Sequence, residues 1–397
     1  MYMENIKAIK EPKIVWVTRS FLDYRIPVYA ELNKLCKGKL TIIYNGEVVP
    51  ENVQNKAKKI LGKNVIPMTG ELKIKSKNQS YSNVANKGFR IPFQPNLIKT
   101  IRRLKPDVIV SDGFFQWTYA ALWIRMFNMR RIKHVMCYEK TSHTERNAGK
   151  LRTWYRKFVS RWIDAIDCNG VLTKEYIQNL GYKKKLTLGH MTADIDGILK
   201  NIEKVSEVEI ADVKNKYQLS GVNFIYVGRL IPLKGIIELL SAWKDAKITD
   251  ASLMLVGDGE QRKDIEDYIA THNLNTVKLI GRIEYDKLIP YYKSADCFII
   301  PTLEDNWSLV VPEAMACGLP IACSIYNGCH PELVKPENGW TFDPLNNENT
   351  IQMLKEIISN KAKLKEMGCN SKKIVSHHTP QHAAAGILEA CKFVLNN

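Results

Sequence analysis

The stretch from Cys297 to Ser324, CFIIPTLEDNWSLVVPEAMACGLPIACS, decides how the chain is read. A buried apolar run, CFII, ends in an acidic loop. A helix then starts and carries Glu313, with Pro312 in its first turn. A second apolar run follows Gly318. Open parallel sheets bind anionic ligands at strand ends and helix N-termini, where free N–H groups and the helix dipole point. Two carboxylates, Asp305 and Glu313, bracket this turn. A carboxylate repels a phosphate, so its useful partners are hydroxyls. A site that offers N–H groups to phosphate and carboxylates to hydroxyls suits a nucleotide sugar.

Working outward, the same alternation of apolar runs and helical segments recurs on both sides. NFIYVG, ASLMLVGDG, TVKLIG, DCFIIPT and LPIACS are five strand candidates between residues 223 and 324. Upstream, Lys13–Ser20, Lys39–Asn45, Pro106–Gly113 and Lys133–Glu139 read as buried strands. Helical segments are expected near Pro27–Leu35, Ile98–Leu104 and Trp117–Met129. This alternation predicts an α/β chain with parallel sheets. Thr69–Phe93 is polar, basic and rich in Asn and Ser, and reads as a long loop. Residues 200–216 read as a linker or as the first helix of a second domain. Thr379-Pro380 reads as an N-cap followed by a first-turn proline. The closing helix carries Ile387, Leu388, Cys391, Val394 and Leu395 on one face.

Two further constellations accompany the carboxylate turn. VGRLIPLKG, Val227–Gly235, follows a strand and sets Arg229 and Lys234 at its carboxyl end. Two cations on one loop can neutralise a departing diphosphate, and Gly228 and Gly235 let backbone come close. VGDGE, Val256–Glu260, closes the next strand and reads as a simple turn. Ser308, Leu309 and Val310 would offer N–H groups at the start of the helix that bears Glu313.

In this order and spacing, the constellations resemble the carboxyl-terminal half of retaining glycosyltransferases of family 4, which have the GT-B fold. The resemblance runs from about Phe224 to Pro344. It includes GRLIPLKG, GRIEYDKLIPYYKSADCFIIPT, EAMACGLPIA and NGCHPELVKPENGW. It implies two Rossmann-like domains facing a cleft. The expected boundaries are 1–205 for acceptor binding, 206–376 for the nucleotide sugar, and 377–397 for a helix that crosses back. It implies that the first carboxylate, here Asp305 in place of the usual Glu, holds the transferred sugar's hydroxyls. It implies that Glu313 holds the nucleotide ribose and that Arg282 joins the nucleotide contacts. The reaction implied has no protein nucleophile. No metal is expected, because Arg229 and Lys234 supply the neutralising charge, and no cofactor beyond the donor itself, for which UDP is the first choice and GDP the second.

The amino-terminal half resembles the family weakly. Its glycine-rich first loop is replaced by TRSFLDYRIP, Thr18–Pro27, similar to a YR-x-P variant. Asp112, Glu139 and the TSHTER stretch, Thr141–Arg146, follow strands. His143 is the candidate catalytic residue there, although a lone loop histidine is more often a solvated one. Asp194-x-Asp196 invites a metal reading, which the cations Arg229 and Lys234 make unnecessary. His378 and His382 lack a third ligand.

Charge is lopsided. Residues 1–200 hold 37 Lys+Arg and 16 Asp+Glu, a net +21, while the remainder holds 21 and 25, a net −4. Such a field favours an anionic partner. A nucleic acid is one candidate, but no helix-turn-helix, zinc-finger or RNP-like pattern supports it. An anionic membrane is another, with Lys73, Lys75, Lys77, Lys87 and Arg90 of the long loop as contacts, and a charged glycan a third, beside the reading that the charge serves solubility alone. The helix KLRTWYRKFVSRW, Lys150–Trp162, has an apolar stripe with basic residues on its other faces, a composition that suits an interfacial helix as well as a core helix, and core packing is the preferred reading. No apolar run reaches membrane-spanning length and the nine cysteines form no CxxC. The expectation is therefore a cytoplasmic enzyme at the inner membrane face. It would move a hexose-type sugar to a glycan or lipid-linked acceptor of an envelope polysaccharide. A sugar-nucleotide epimerase of the same fold is the nearest alternative.

Overall fold

The computed structural model describes residues 11–73, 92–127, 131–189 and 191–396. It divides into two compact units, one of residues 1–192 with 380–397 and one of residues 193–379. Each is built on a parallel sheet covered by helices.

The strands of the first unit are β1 (Ile14–Val17), β2 (Leu40–Asn45), β3 (Val65–Met68), β4 (Leu72–Lys73), β5 (Pro92–Phe93), β6 (Val108–Asp112), β7 (Lys133–Tyr138), β8 (Ala165–Cys168) and β9 (Lys185–Leu188). Seven of them form a sheet of order β3-β2-β1-β6-β7-β8-β9, with every neighbouring pair parallel. A sheet buried on both faces needs apolar side chains on both, so its strands read as unbroken apolar runs. Ile14, Val15 and Trp16 are fully buried, as are Val108, Ile109 and Val110. β4 and β5 form a separate antiparallel pair within the stretch read as a long loop. Lys75, Lys77, Lys87 and Arg90 lie outside the described residues, and Lys73 within them.

The second unit holds β10 (Val222–Val227), β11 (Ala251–Val256), β12 (Val277–Gly281), β13 (Cys297–Ile300), β14 (Ile321–Ser324) and β15 (Gly339–Phe342). Their order is β12-β11-β10-β13-β14-β15, again all parallel. In both sheets the order reverses beside the first strand, between β1 and β6 and between β10 and β13. Connections leave such a point in opposite directions, and the strand ends there stand open for a ligand.

The boundaries differ from those expected at 205/206 and 376/377. Helix Ile195–Ile202 packs on Ile289–Ser294 and Val310–Ala316, which assigns it to the second unit. Helix Glu207–Lys216 follows, opened by a capping box between Ser206 and Glu209. Helix Pro380–Asn396 begins at the proline and packs on helix Arg25–Leu35 and on β7, β8 and β9. Its Ile387, Cys391 and Val394 belong to the same core cluster as Trp16, Tyr29 and Ile42.

Helix Lys150–Val159 departs from the core-packing expectation. It buries Arg156 and Val159, while Leu151, Trp154 and Phe158 stay exposed. The reason is an interior ion pair: Arg156 lies 2.7 Å from Glu145, and both side chains are almost fully buried. Among the described residues no helix is long and apolar enough to cross a membrane.

Candidate active site

The carboxyl ends of β10 and β13 meet the requirement of a strand-order reversal with a charged pair between their loops. β10 runs into Gly228 and Arg229, then a one-turn helix Pro232–Lys234. β13 runs into Pro301 and the acidic loop. The Leu303 N–H (2.9 Å) and the Thr302 hydroxyl (2.9 Å) both donate to the Leu233 carbonyl, which ties the two loops together. Gly235 has φ +66°, and a Cβ there would lie 2.1 Å from the Pro301 carbonyl oxygen. Only glycine fits that position.

This stitching brings Lys234 onto Asp305: the ammonium donates to Asp305 Oδ2 in a partly buried ion pair. Asp305 also accepts from the Ser308 hydroxyl at 2.6 Å and from the Trp307 N–H at 3.0 Å. Burial pushes the Asp305 carboxyl up, but Lys234 and these hydrogen bonds outweigh it and hold it below the usual carboxylate range. The cation expected at a diphosphate and the carboxylate expected at sugar hydroxyls are thus one unit.

Glu313 sits on helix Val310–Ala316, which has Leu309 at its N-cap position. The carboxylate is buried and accepts from the Tyr292 hydroxyl at 3.2 Å. It faces a small cavity lined by Ile198, Tyr285, Leu288, Tyr292 and Cys317. Desolvation pushes its pKa up to about 7, against a lowering contribution from Tyr292. The Ser308 N–H, expected to be open for a phosphate, points to Asn327 Oδ1 at 3.4 Å.

The remaining expected residues are placed as follows. Arg229 is exposed, and its carbonyl accepts from the Tyr226 hydroxyl at 2.9 Å. Arg282 is exposed just after β12, two strands away from β10. His143 lies half-buried in the turn after β7, in the first unit, where its carbonyl accepts from Arg146 Nη1 at 2.6 Å. Glu145, in the same turn, holds Arg156. Asp194 caps helix Ile195–Ile202 by accepting from the Gly197 N–H at 3.1 Å. Among the described residues no group of three or more His, Cys, Asp or Glu is placed to hold a metal.

Four features escaped the sequence reading. Tyr226, fully buried, puts its hydroxyl within the influence of both Asp305 and Arg229; its only signal is a polar tip near a strand end. Asn327, fully buried, braces the turn: Asp305 pairs with it in an isolated backbone bridge. VGDGE is more than a turn, because a Cβ at Gly257 would lie 1.8 Å from the Gly228 carbonyl oxygen. The loops after β10 and β11 therefore pack backbone on backbone. In the first unit, Arg25 of TRSFLDYRIP is buried. It donates to Glu139 at 2.8 Å and lies 3.8 Å from Asp112, at the ends of adjacent strands.

Known proteins resemble the chain in sequence and in fold. The family described as Glycosyl transferases group 1 matches residues 209–374, and Glycosyltransferase Family 4 matches residues 72–195. An uncharacterized glycosyltransferase of Methanocaldococcus jannaschii is 26% identical over 172 residues, 43% of this chain and 48% of the relative. A GDP-mannose-dependent monoacylated alpha-(1-6)-phosphatidylinositol monomannoside mannosyltransferase of Corynebacterium glutamicum is 30% identical over 149 residues, 35% of this chain and 39% of the relative. The chain thus spans about half or less of the length of these two relatives. The crystal structure of Anabaena HepE in complex with UDP superposes with a TM-score of 0.70 at 17% identity, covering 95% of this chain and 97% of that one. With one family on each unit and the fold shared over nearly its whole length, the chain belongs to the group 1, family 4 glycosyltransferases and has the two α/β sheets of the GT-B fold.

Proposed function

We propose that this chain transfers a hexose-type sugar, with retention, from a nucleoside diphosphate sugar to a hydroxyl of a glycan or lipid-linked acceptor. The observation that carries the reading is the Lys234–Asp305 pair at the β10/β13 reversal. Without donor, each neutralises the other. With donor, the sugar's hydroxyls replace the ammonium on Asp305, and Lys234 turns to the diphosphate beside Arg229. The C–O bond to the phosphate breaks as the leaving oxygen takes the acceptor's proton, and the acceptor oxygen bonds to the anomeric carbon on the same face. Charge growing on the diphosphate then meets two cations already in place. UDP is the first choice, in keeping with the UDP held by HepE. GDP is the second, in keeping with the GDP-mannose dependence of the Corynebacterium relative. The cationic first half suits work at an anionic inner membrane face, in envelope polysaccharide synthesis.

The test is a product assay over UDP- and GDP-sugars with lipid-linked acceptors, with and without EDTA. Transfer from one nucleotide class, unchanged by the chelator, is the expected result. Loss with EDTA and recovery with Mg²⁺ or Mn²⁺ would overturn the metal-free mechanism. A changed free sugar released without acceptor would point to an epimerase.

Glu313 gives a pH signature. Its task, accepting ribose hydroxyls, needs the carboxylate. Its pKa stands near 7 rather than at the ordinary 4.5, so the protonated form competes below neutrality. Nucleotide affinity is expected to rise between pH 6 and 8, by up to about tenfold per unit below the pKa. Titrations at several pH values of a UDP-sugar, whose diphosphate has no group that ionises near neutrality, should show the slope in the parent and a flat profile in Glu313→Gln. A sloped profile in Glu313→Gln would remove Glu313 from the ribose site.

A further inference from the structure

The helix Lys150–Val159, with the one-turn helix Ser160–Trp162 that continues it, turns a hydrophobic stripe outward. Leu151 is 78% exposed, Trp154 59% and Phe158 38%. Trp154 stacks on Phe158 with centroids 5.3 Å apart, and Phe158 meets Trp162 edge-on at 5.1 Å. The Arg161 guanidinium lies over the Phe158 ring at 5.5 Å. The helix Thr118–Phe127 adjoins this element, its Leu122 sharing a core cluster with Val159 and Ile163. It exposes Trp123 at 50% and Phe127 at 58%, their rings 4.5 Å apart. Single exposed apolar residues are ordinary, but large aromatics gathered on two adjoining elements mark a surface that something covers.

The charge around them says what covers it. From Gly113 to Ile163 the sequence holds eleven Lys+Arg and two acids, Glu139 and Glu145. Glu145 is buried against Arg156, and Glu139 is paired with Arg25. Lys150, Lys157 and Arg161 are exposed. The two adjoining elements thus expose large aromatics, and the helix Lys150–Val159 with its one-turn continuation carries the exposed cations Lys150, Lys157 and Arg161. Tryptophan belongs at the boundary between lipid headgroups and acyl chains, and lysine and arginine beside it reach phosphates.

We propose that this face docks on an anionic phospholipid surface. Trp123, Phe127, Trp154 and Phe158 enter the boundary between headgroups and acyl chains, and Lys150, Lys157 and Arg161 pair with lipid phosphates. The inference rests on the proposed function only in giving that docking a purpose, access to a lipid-linked acceptor.

The test uses the full chain with vesicles of phosphatidylglycerol and phosphatidylcholine, and with vesicles of phosphatidylcholine alone. Two variants, Trp154→Ser/Phe158→Ser and Trp123→Ser/Phe127→Ser, change exposed side chains, and their fold is checked by thermal unfolding. The parent is expected to float with the anionic vesicles, more weakly as salt rises. Lipids brominated in the acyl chain should quench its tryptophan fluorescence. Each variant is expected to lose roughly tenfold or more in partitioning, in proportion to the apolar area removed from the boundary. Equal partitioning of parent and variants would overturn the proposal, as would absence of quenching. So would a parent dimer, dissociated by these variants, that binds no vesicle. UDP affinity, measured on the same samples, should not change. A parent that floats but binds no nucleotide would refute the donor reading and leave the docking face standing.

Discussion

Lys234→Ala is expected to lower turnover by about 10²–10³-fold, as for loss of one charged group aimed at the developing negative charge. Two effects combine in that variant. The departing diphosphate loses a cation, and Asp305 loses the partner that keeps it ionised. The pair is partly buried, so its loss should destabilise the second unit by roughly 1–3 kcal/mol, less than for a fully buried pair. Joining Asp305→Asn to Lys234→Ala separates the two effects. The double variant removes the orphaned charge and should regain stability in urea unfolding without regaining rate. A Lys234→Ala chain that turns over at the parental rate would show that the pair is structural.

Gly235→Val is expected to destabilise the second unit by roughly 3 kcal/mol or more, from a strained left-handed backbone and an overpacked contact. The strain comes from φ +66°, which a β-branched residue resists. The overpacking comes from the Pro301 carbonyl, which leaves no room for a Cβ. Moving that carbonyl separates the loops after β10 and β13 and pulls Lys234 from Asp305, so UDP affinity should fall together with the urea midpoint. Gly149→Ala is the control, since nothing lies within 4 Å of a Cβ there. A parental midpoint for Gly235→Val would contradict the described loop contact.

Much of the fold was legible because the long central strands are unbroken apolar runs. IVWV, VIVSD and CFII could hardly be anything else in a chain that alternates strand and helix signals. The strands that escaped notice are short or polar. β8 is AIDC, and its buried Asp167 accepts from the Thr187 hydroxyl of β9 at 2.6 Å. That partner is known only after pairing. Periodicity likewise showed a stripe on Lys150–Trp162 without showing which face the core takes. Arg156 decided it, through an acid eleven residues upstream whose burial no local pattern reveals. In the site, residue types at strand ends marked Lys234, Asp305 and Glu313. The salt bridge joining the first two, the role of Asn327 and the fit of Gly257 against Gly228 depend on loops from four strands meeting. A single sequence does not show those meetings.

The central claim is that the loops after β10 and β13 hold a nucleoside diphosphate without a metal. Calorimetric titration of the EDTA-treated full chain with UDP, and in parallel with GDP, tests it most directly. The expected result is saturable one-to-one binding of one of the two nucleotides, clearly weakened in Lys234→Ala. Absence of binding by both nucleotides, or binding that the Lys234→Ala chain retains in full, would contradict it.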